Sequence, residues 1–379
     1  MKNASYDGSA GIRAGGPISW AVVRKVLAAI LAPLALIPTS VAQEIYAESD
    51  AIFFSDTLPV SSLLDGLQGE NFTPGEASFV HARAASGFRW KWLDVAAIVR
   101  YDYVTSYSPS ASTIIFSERN NLDLPDGTFD LSLDINRAFA YGGRIGARHS
   151  FFDDRLSVGV FGSVLSTSQL LNGSTEGSLE LLNNGADIAG VVQVDYVYDR
   201  DLIFDREVDA PSGIGVAFDI EAALQITEKL RADVKVEDLW SRIWWDDAPR
   251  TVLDATTDTV DRDDNGLLIV RPFLQGQNSF EDVTTRYSAR TRASLNYQIT
   301  ERWSLSQDIF NLGDTFLTTS YVDFAIAKDL SVGAEVEWTT GGYGVSMSWK
   351  KLSLNLVTDD IEFDDANYLK ASLSASFAF

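Results

Sequence analysis

Few residues in this chain could do chemistry, and their types narrow what that chemistry would be. Of 379 residues, two are histidine, His81 and His149, and none is cysteine. The lack of cysteine removes disulfide frameworks, thiolate zinc sites and thiol nucleophiles. A hydrolase would need a histidine beside a Ser or Asp partner in space. His149-Ser150 does not meet that need if the segment is a strand, because strand neighbours point to opposite faces. With so few general bases, no enzyme is expected. Asp261-Arg-Asp263-Asp-Asn265-Gly266 reads as the first half of a calcium loop, with Gly where the chain must bend. Its twelfth position is Pro272 and not the bidentate Glu, so it is no EF-hand. Asp261, Asp263 and Asn265 stand as candidate ligands of a weak extracellular-type site, with an ordinary acidic turn as the plainer alternative. Calcium is the only cofactor the sequence suggests.

A third group is charged: His81, Arg83, Asp219, Glu221, Arg231, Asp233, Lys235, Glu237, Arg290 and Arg292. What unites them is spacing, since each falls on the polar side of a segment that alternates polar and apolar residues. From Gly213 to Thr227 the even positions read Ile214, Val216, Phe218, Ile220, Ala222, Leu224, Ile226, while Asp219 and Glu221 lie among the odd ones. Arg286–Thr300 and Leu230–Glu237 alternate in the same way. Such period-two runs are strands with one greasy and one polar face. These runs often reach ten to fifteen residues, longer than the usual strand of a soluble sandwich. A strand that crosses a bilayer needs about nine to eleven residues. Amides in hydrocarbon must all be paired, so strands can span only as a closed barrel, apolar outside and polar within. The charged group is therefore expected to line a lumen, either as a self-satisfied interior or as a pathway that tunes selectivity.

The fold expected is all-β: a closed antiparallel transmembrane barrel of 14–16 strands. Tight connections around Lys91-Trp92, Asp153–Arg155, Asn183–Gly185, Glu228-Lys229, Glu301-Arg302, Lys328-Asp329 and Lys350-Lys351 would form one rim, with two strands between successive ones. That count requires a separate strand at Gly177–Leu182 before the Asn-Gly turn. Residues 43–75 serve as a first strand or as a plug, and 76–379 form the barrel, with long outer loops near 106–130 and 246–285. Trp90, Trp92, Trp240, Trp244, Trp245, Trp303, Trp338 and Trp349 are expected in aromatic girdles, as membrane anchors.

The ends of the sequence fit export. Arg24-Lys25, the apolar run Val26–Ile37 and Ser40-Val41-Ala42 form a signal peptide over residues 1–42. Its removal changes the net charge from −23 to −26, and so acidic a chain is not built to coat nucleic acid. At the other end, Leu369, Ala371, Leu373, Ala375, Phe377 and Phe379 share one face of an unbroken alternation. That terminal aromatic strand resembles the assembly signal of bacterial outer-membrane barrels. The resemblance implies an outer-membrane location, contact with lipid and delivery by the barrel assembly machinery, here as a monomer.

A narrower resemblance runs from Gly215 to Trp240. Gly215-Val-Ala-Phe-Asp219-Ile, Leu224-Gln-Ile-Thr-Glu-Lys-Leu230 and Val236-Glu-Asp-Leu-Trp240 are similar to a recurring hairpin. It occurs in the long-chain fatty-acid transporter superfamily, including TraF-like and PorV-like barrels. Trp240 stands where that pattern usually has Gly, and no Asn-Pro-Ala follows the signal peptide. The resemblance implies a fourteen-stranded barrel with an N-terminal hatch, moving a small hydrophobic solute or serving secretion. It assigns no ligand residue. The functional expectation is transport or binding of a small solute; the alternative is a non-transporting scaffold for secretion, surface attachment or envelope structure.

Overall fold

The computed structural model describes residues 44–64, 67–183, 187–201, 206–262 and 268–378. The signal peptide, Asp263 and Asn265 lie outside the described residues, as does the side chain of Asp261. The described residues form one antiparallel sheet of sixteen strands. In order these are β1 (Glu44–Ser55), β2 (Ala77–Trp90), β3 (Leu93–Tyr107), β4 (Gly127–Phe151), β5 (Leu156–Leu182), β6 (Asp187–Tyr198), β7 (Gly213–Gln225) and β8 (Leu230–Arg262). There follow β9 (Leu268–Thr285), β10 (Arg290–Gln298), β11 (Trp303–Leu312), β12 (Thr315–Ala327), β13 (Leu330–Glu337), β14 (Tyr343–Trp349), β15 (Leu352–Thr358) and β16 (Tyr368–Ala378).

The sheet closes on itself. β16 pairs with β1 from Glu44↔Ala378 to Phe54↔Tyr368, so Glu44–Phe54 are wall and not plug. Around the ring there are fourteen places, because two of them each hold two strands end to end. β6 and β7 both lie between β5 and β8, β6 pairing Leu171–Leu182 and β7 pairing Leu156–Thr167 of β5. On the other side of β8, β10 pairs its lower part (Leu230–Glu237) and β9 its upper part (Ile243–Arg262). The upper parts of β4, β5, β6, β8 and β9 thus stand beyond the ring as a sheet-like fin.

This fin explains two departures from the sequence reading. Gly177–Leu182 is not a strand of its own but the upper end of β5, which runs for 27 residues. Its turn at Asn183 is therefore at the opposite rim from Lys91 and Asp154. The described residues of the stretch 246–285 form no open loop, since β8 and β9 pair with each other there and so satisfy their backbone groups. Near 106–130, helix α2 (Pro109–Arg119) interrupts the connection; a shorter helix, α1 (Val60–Leu64), lies in the β1–β2 connection. The α2 start is set locally, with Ser108 accepting from the Ala111 N–H and Pro109 in the first turn. The ring of Phe116 on α2 stacks on Phe72, with centroids 4.2 Å apart, joining two upper connections.

Alternation sorts the wall into two faces. Val164, Ile214, Phe316, Val345 and Leu354 are among the large apolar residues exposed on the outside. No described helix is long and apolar enough to cross a membrane. Trp90, Trp92, Trp303 and Trp349 are exposed near the lower turns, and Trp240, Trp244 and Trp338 are exposed as well. Trp245 departs from the expected girdle: it is 1% exposed and points inward, donating from Nε1 to Thr285 Oγ1 at 2.9 Å. Its neighbour Trp244 takes the outer face, as strand alternation requires.

Candidate functional site

The lumen is packed, and its middle is ionic. Arg100 on β3 reaches across to Asp238 on β8 with a two-pronged fork, both N–O distances 2.8 Å. Its Nε also donates to Asp102 at 2.6 Å. From β10, Arg290 donates to Asp102 at 2.5 Å and to Asp238 at 2.8 Å, with Glu237 3.4 Å from its Nε. Arg83 on β2 pairs with Glu237 and lies 3.9 Å from Asp219 on β7. Lys235 adds a bond to Glu237 at 2.9 Å. β2 and β3 face β8 and β10 across the ring, so these pairs tie opposite walls together. Forked arginine–carboxylate contacts are the strong members of their class. They also satisfy charges whose burial would otherwise be costly.

His81 belongs to this layer. Its Nδ1 lies 2.9 Å from Asp102 Oδ1 and 3.0 Å from Arg290 Nη1, and the residue is 2% exposed. His149 is on the outer face, edge-on to Phe151 at 4.6 Å between centroids. The two histidines are therefore on opposite sides of the wall. Below the layer, Glu221 accepts from Arg148 at 2.7 Å and Arg231 pairs with Asp233 at 2.7 Å; with Lys235 and Arg292 they line a cavity of about 320 Å³. Arg292 reaches Asp50 at 3.3 Å. All ten residues singled out by spacing thus face the lumen, but they do not form one cluster.

The sequence reading missed the residues at the hub. Arg100 and Asp102 share the even, inward face of β3 with Asp94, Ala96 and Ile98, so the spacing of two does carry them. Asp238 is different. Strict alternation from Lys235 and Glu237 sends it outward, yet its side chain is fully buried within the layer. A bulge redirects it: Phe218 pairs with Trp240 and Ile220 with Val236, so Asp219 alone faces three residues of β8. Asp238 takes φ 54°, and its N–H donates to Asp219 Oδ1 at 2.9 Å. Asp tolerates this left-handed geometry better than most residues.

Apolar side chains fill the lumen around the ions. Ile98, Ala140, Leu165, Ile243, Trp245 and Tyr287 form one buried cluster, and the Arg100 guanidinium lies 3.8 Å above the Tyr287 ring. Phe54, Phe79 and Phe310 anchor a second. Two larger cavities remain. The upper, about 550 Å³, is lined by Val104, Asn136, Asn172, Val197, Arg250 and Val283 among others. The lower, about 410 Å³, has Arg83, Glu237 and Arg290 of the ionic layer in its wall.

No family model matches this chain, and no curated protein matches it. Among solved structures, it is similar to the Pseudomonas putida toluene transporter TodX at 11% identity, covering 91% of this chain and 92% of that one, with a TM-score of 0.41. It is also similar to the Ralstonia pickettii toluene transporter TbuX at 11% identity, covering 89% and 90%, with a TM-score of 0.33. A FadL homologue from Pseudomonas aeruginosa matches at 10% identity over 89% of each chain, with a TM-score of 0.27. At such distances the likeness carries nothing about what this chain binds, and its own geometry must supply that.

Proposed function

We propose that this protein is an outer-membrane barrel that binds a small solute and passes it through a lumen gated by the Arg100–Asp102–Asp238–Arg290 layer. The observation that carries this reading is the pairing of opposite walls by ionic contacts, with a cavity of molecular size on either side of the layer. A wall meant only as scaffold could fill its lumen with apolar side chains. Here the centre is built of charges that hold each other and can be exchanged for water or solute. The apolar outer face supports the membrane location.

Planar-bilayer conductance tests the gate. Wild type should open rarely, and Asp238→Asn, which weakens the forks of both Arg100 and Arg290, should raise conductance or open time severalfold. If neither protein conducts beyond the lipid blank and neither takes up solute in vesicles, the gate is wrong. The fin would then favour the alternative of a non-transporting scaffold, since it presents a paired β8–β9 surface beyond the ring.

A further inference from the structure

The lower cavity is rich in acceptors on one wall. Asp308 on β11, Asp323 on β12 and Glu335 on β13 face it from adjacent strands, around Tyr321. The register places Glu335 opposite Tyr321, with Asp323 two residues further along β12. The cations of this wall act on Asp308, and Lys370 on Glu335, only through space, since Arg292 pairs with Asp50 and Lys370 donates to the Tyr321 hydroxyl at 2.7 Å. The carboxylates bond instead to neutral donors: Asp308 to Tyr321 at 3.1 Å, Asp323 to Ser346 at 3.0 Å, and Glu335 Oε1 to the Asn355 amide.

Two acceptors are left over. Glu335 is 2% exposed, and its buried Oε2 accepts no hydrogen bond; the buried Oδ1 of Asn355 beside it accepts none either. A buried carboxylate oxygen without a donor is costly, and a second idle acceptor next to it doubles the demand. Gly333 makes room for the Asp323–Ser346 pair, since a Cβ there would collide with both Asp323 Oδ1 and Ser346 Oγ. Ser348, Ser353, Ser372 and Ser374 add hydroxyls to the same wall.

We infer that the lower cavity binds a small hydroxylated amine, whose ammonium donates to Glu335 Oε2, Asn355 Oδ1 and Asp323 and whose hydroxyl meets the serines. A primary ammonium offers three donors and no acceptor, which is what these oxygens lack. A metal ion fits less well, since no group of three or more acidic or histidine side chains among the described residues converges to hold one. A quaternary ammonium has no N–H to give, and the aromatic faces here already carry Lys370 over Tyr321 and Arg292 over Phe310. The strongly acidic chain also concentrates cations near its mouths. This inference names the solute class of the proposed passage and rests on that reading only for how the solute arrives.

Calorimetry on the purified full-length protein in detergent tests it, with ethanolamine as probe and ethylene glycol, tetramethylammonium and calcium as comparisons. Ethanolamine should bind, and the other three should bind at least about tenfold more weakly. Glu335→Gln should weaken ethanolamine by about tenfold, Asp323→Asn by less, and the distant Glu281→Gln not at all. Heat-modifiability on gels shows that each variant is folded, and Asp323→Asn stands in if Glu335→Gln is not. Absence of ethanolamine heat at tens of millimolar overturns the inference, as do unchanged binding in both carboxylate variants or tighter binding of calcium. Binding without conductance keeps the amine site and removes the passage; conductance without binding does the reverse.

Discussion

Between β10 and β16 the wall is made of strands of seven to thirteen residues, and a single register shift, at Ala325–Ala327, disturbs it. Between β1 and β9 the strands run from twelve to thirty-three residues. Shifts occur there at Arg137–Phe139, Phe218–Ile220, Trp245–Ala248 and Thr256–Thr259. The regular arc needs only local pairing, and its lumen face is mostly hydroxyl and carboxylate around open space. The irregular arc carries most of the ionic hub, the buried Trp245 and the fin. The shift at Phe218–Ile220 falls where side chains meet across the lumen, because a bulge re-aims one residue without moving its strand.

The largest expected effect tests whether the hub couples the two arcs. Arg290 belongs to the regular arc, but its partners Asp102, Asp238 and Glu237 all belong to the irregular one. Arg290→Ala leaves those buried carboxylates short of a cation and should cost about 3–5 kcal/mol, measured as a fall in the unfolding midpoint in urea. Arg290→Lys keeps the charge but loses the fork and should fall between. A loss below about 1 kcal/mol, the range of exposed pairs, would mean the hub is solvated and the two arcs are independent.

The same contrast decides how much of the molecule was legible beforehand. Alternation alone found the strands of the regular arc and put His81, Arg83, Arg290 and Lys235 on the polar face, since a period of two depends only on local sequence. It could not find Asp238, whose inward turn depends on a left-handed residue opposite Asp219. Gly177–Leu182 was read as a separate strand because the count of two strands between successive turns required one, and nothing local tells that β5 runs on through it to a turn at the opposite rim. Trp245 was read into the girdle for its place near a strand end, although its parity against Trp244 puts the two on opposite faces. Asp261-x-Asp263-x-Asn265 stays an expectation of sequence alone.

A middle-sized effect distinguishes neighbours within the irregular arc. At Gly142 a Cβ would collide with the Val164 carbonyl on β5, whereas at Gly143, on the opposite face, nothing lies within 4 Å. Gly142→Ala should therefore cost about 1–3 kcal/mol by forcing β4 and β5 apart. Gly143→Ala should stay within about 0.5 kcal/mol. Equal effects in the urea midpoints would show that close approach of these strands is not what holds the irregular arc in register.

The smallest effect probes the regular arc on its own terms. Ser348 and Ser353 face each other on β14 and β15 with their hydroxyls 2.9 Å apart, both in the wall of the lower cavity. Ser353→Ala removes one neutral hydrogen bond and leaves Ser348 beside open space that water can fill. A typical bond of this kind contributes about 0.5–1.5 kcal/mol, and the low end applies where the freed partner is not stranded. If Ser353→Ala instead lowered the midpoint as much as Gly142→Ala, the lumen face of the regular arc would be as tightly constrained as that of the irregular one. The division between an arc that merely closes the barrel and an arc that sets its interior would then fail, because both would depend on contacts that no local pattern specifies.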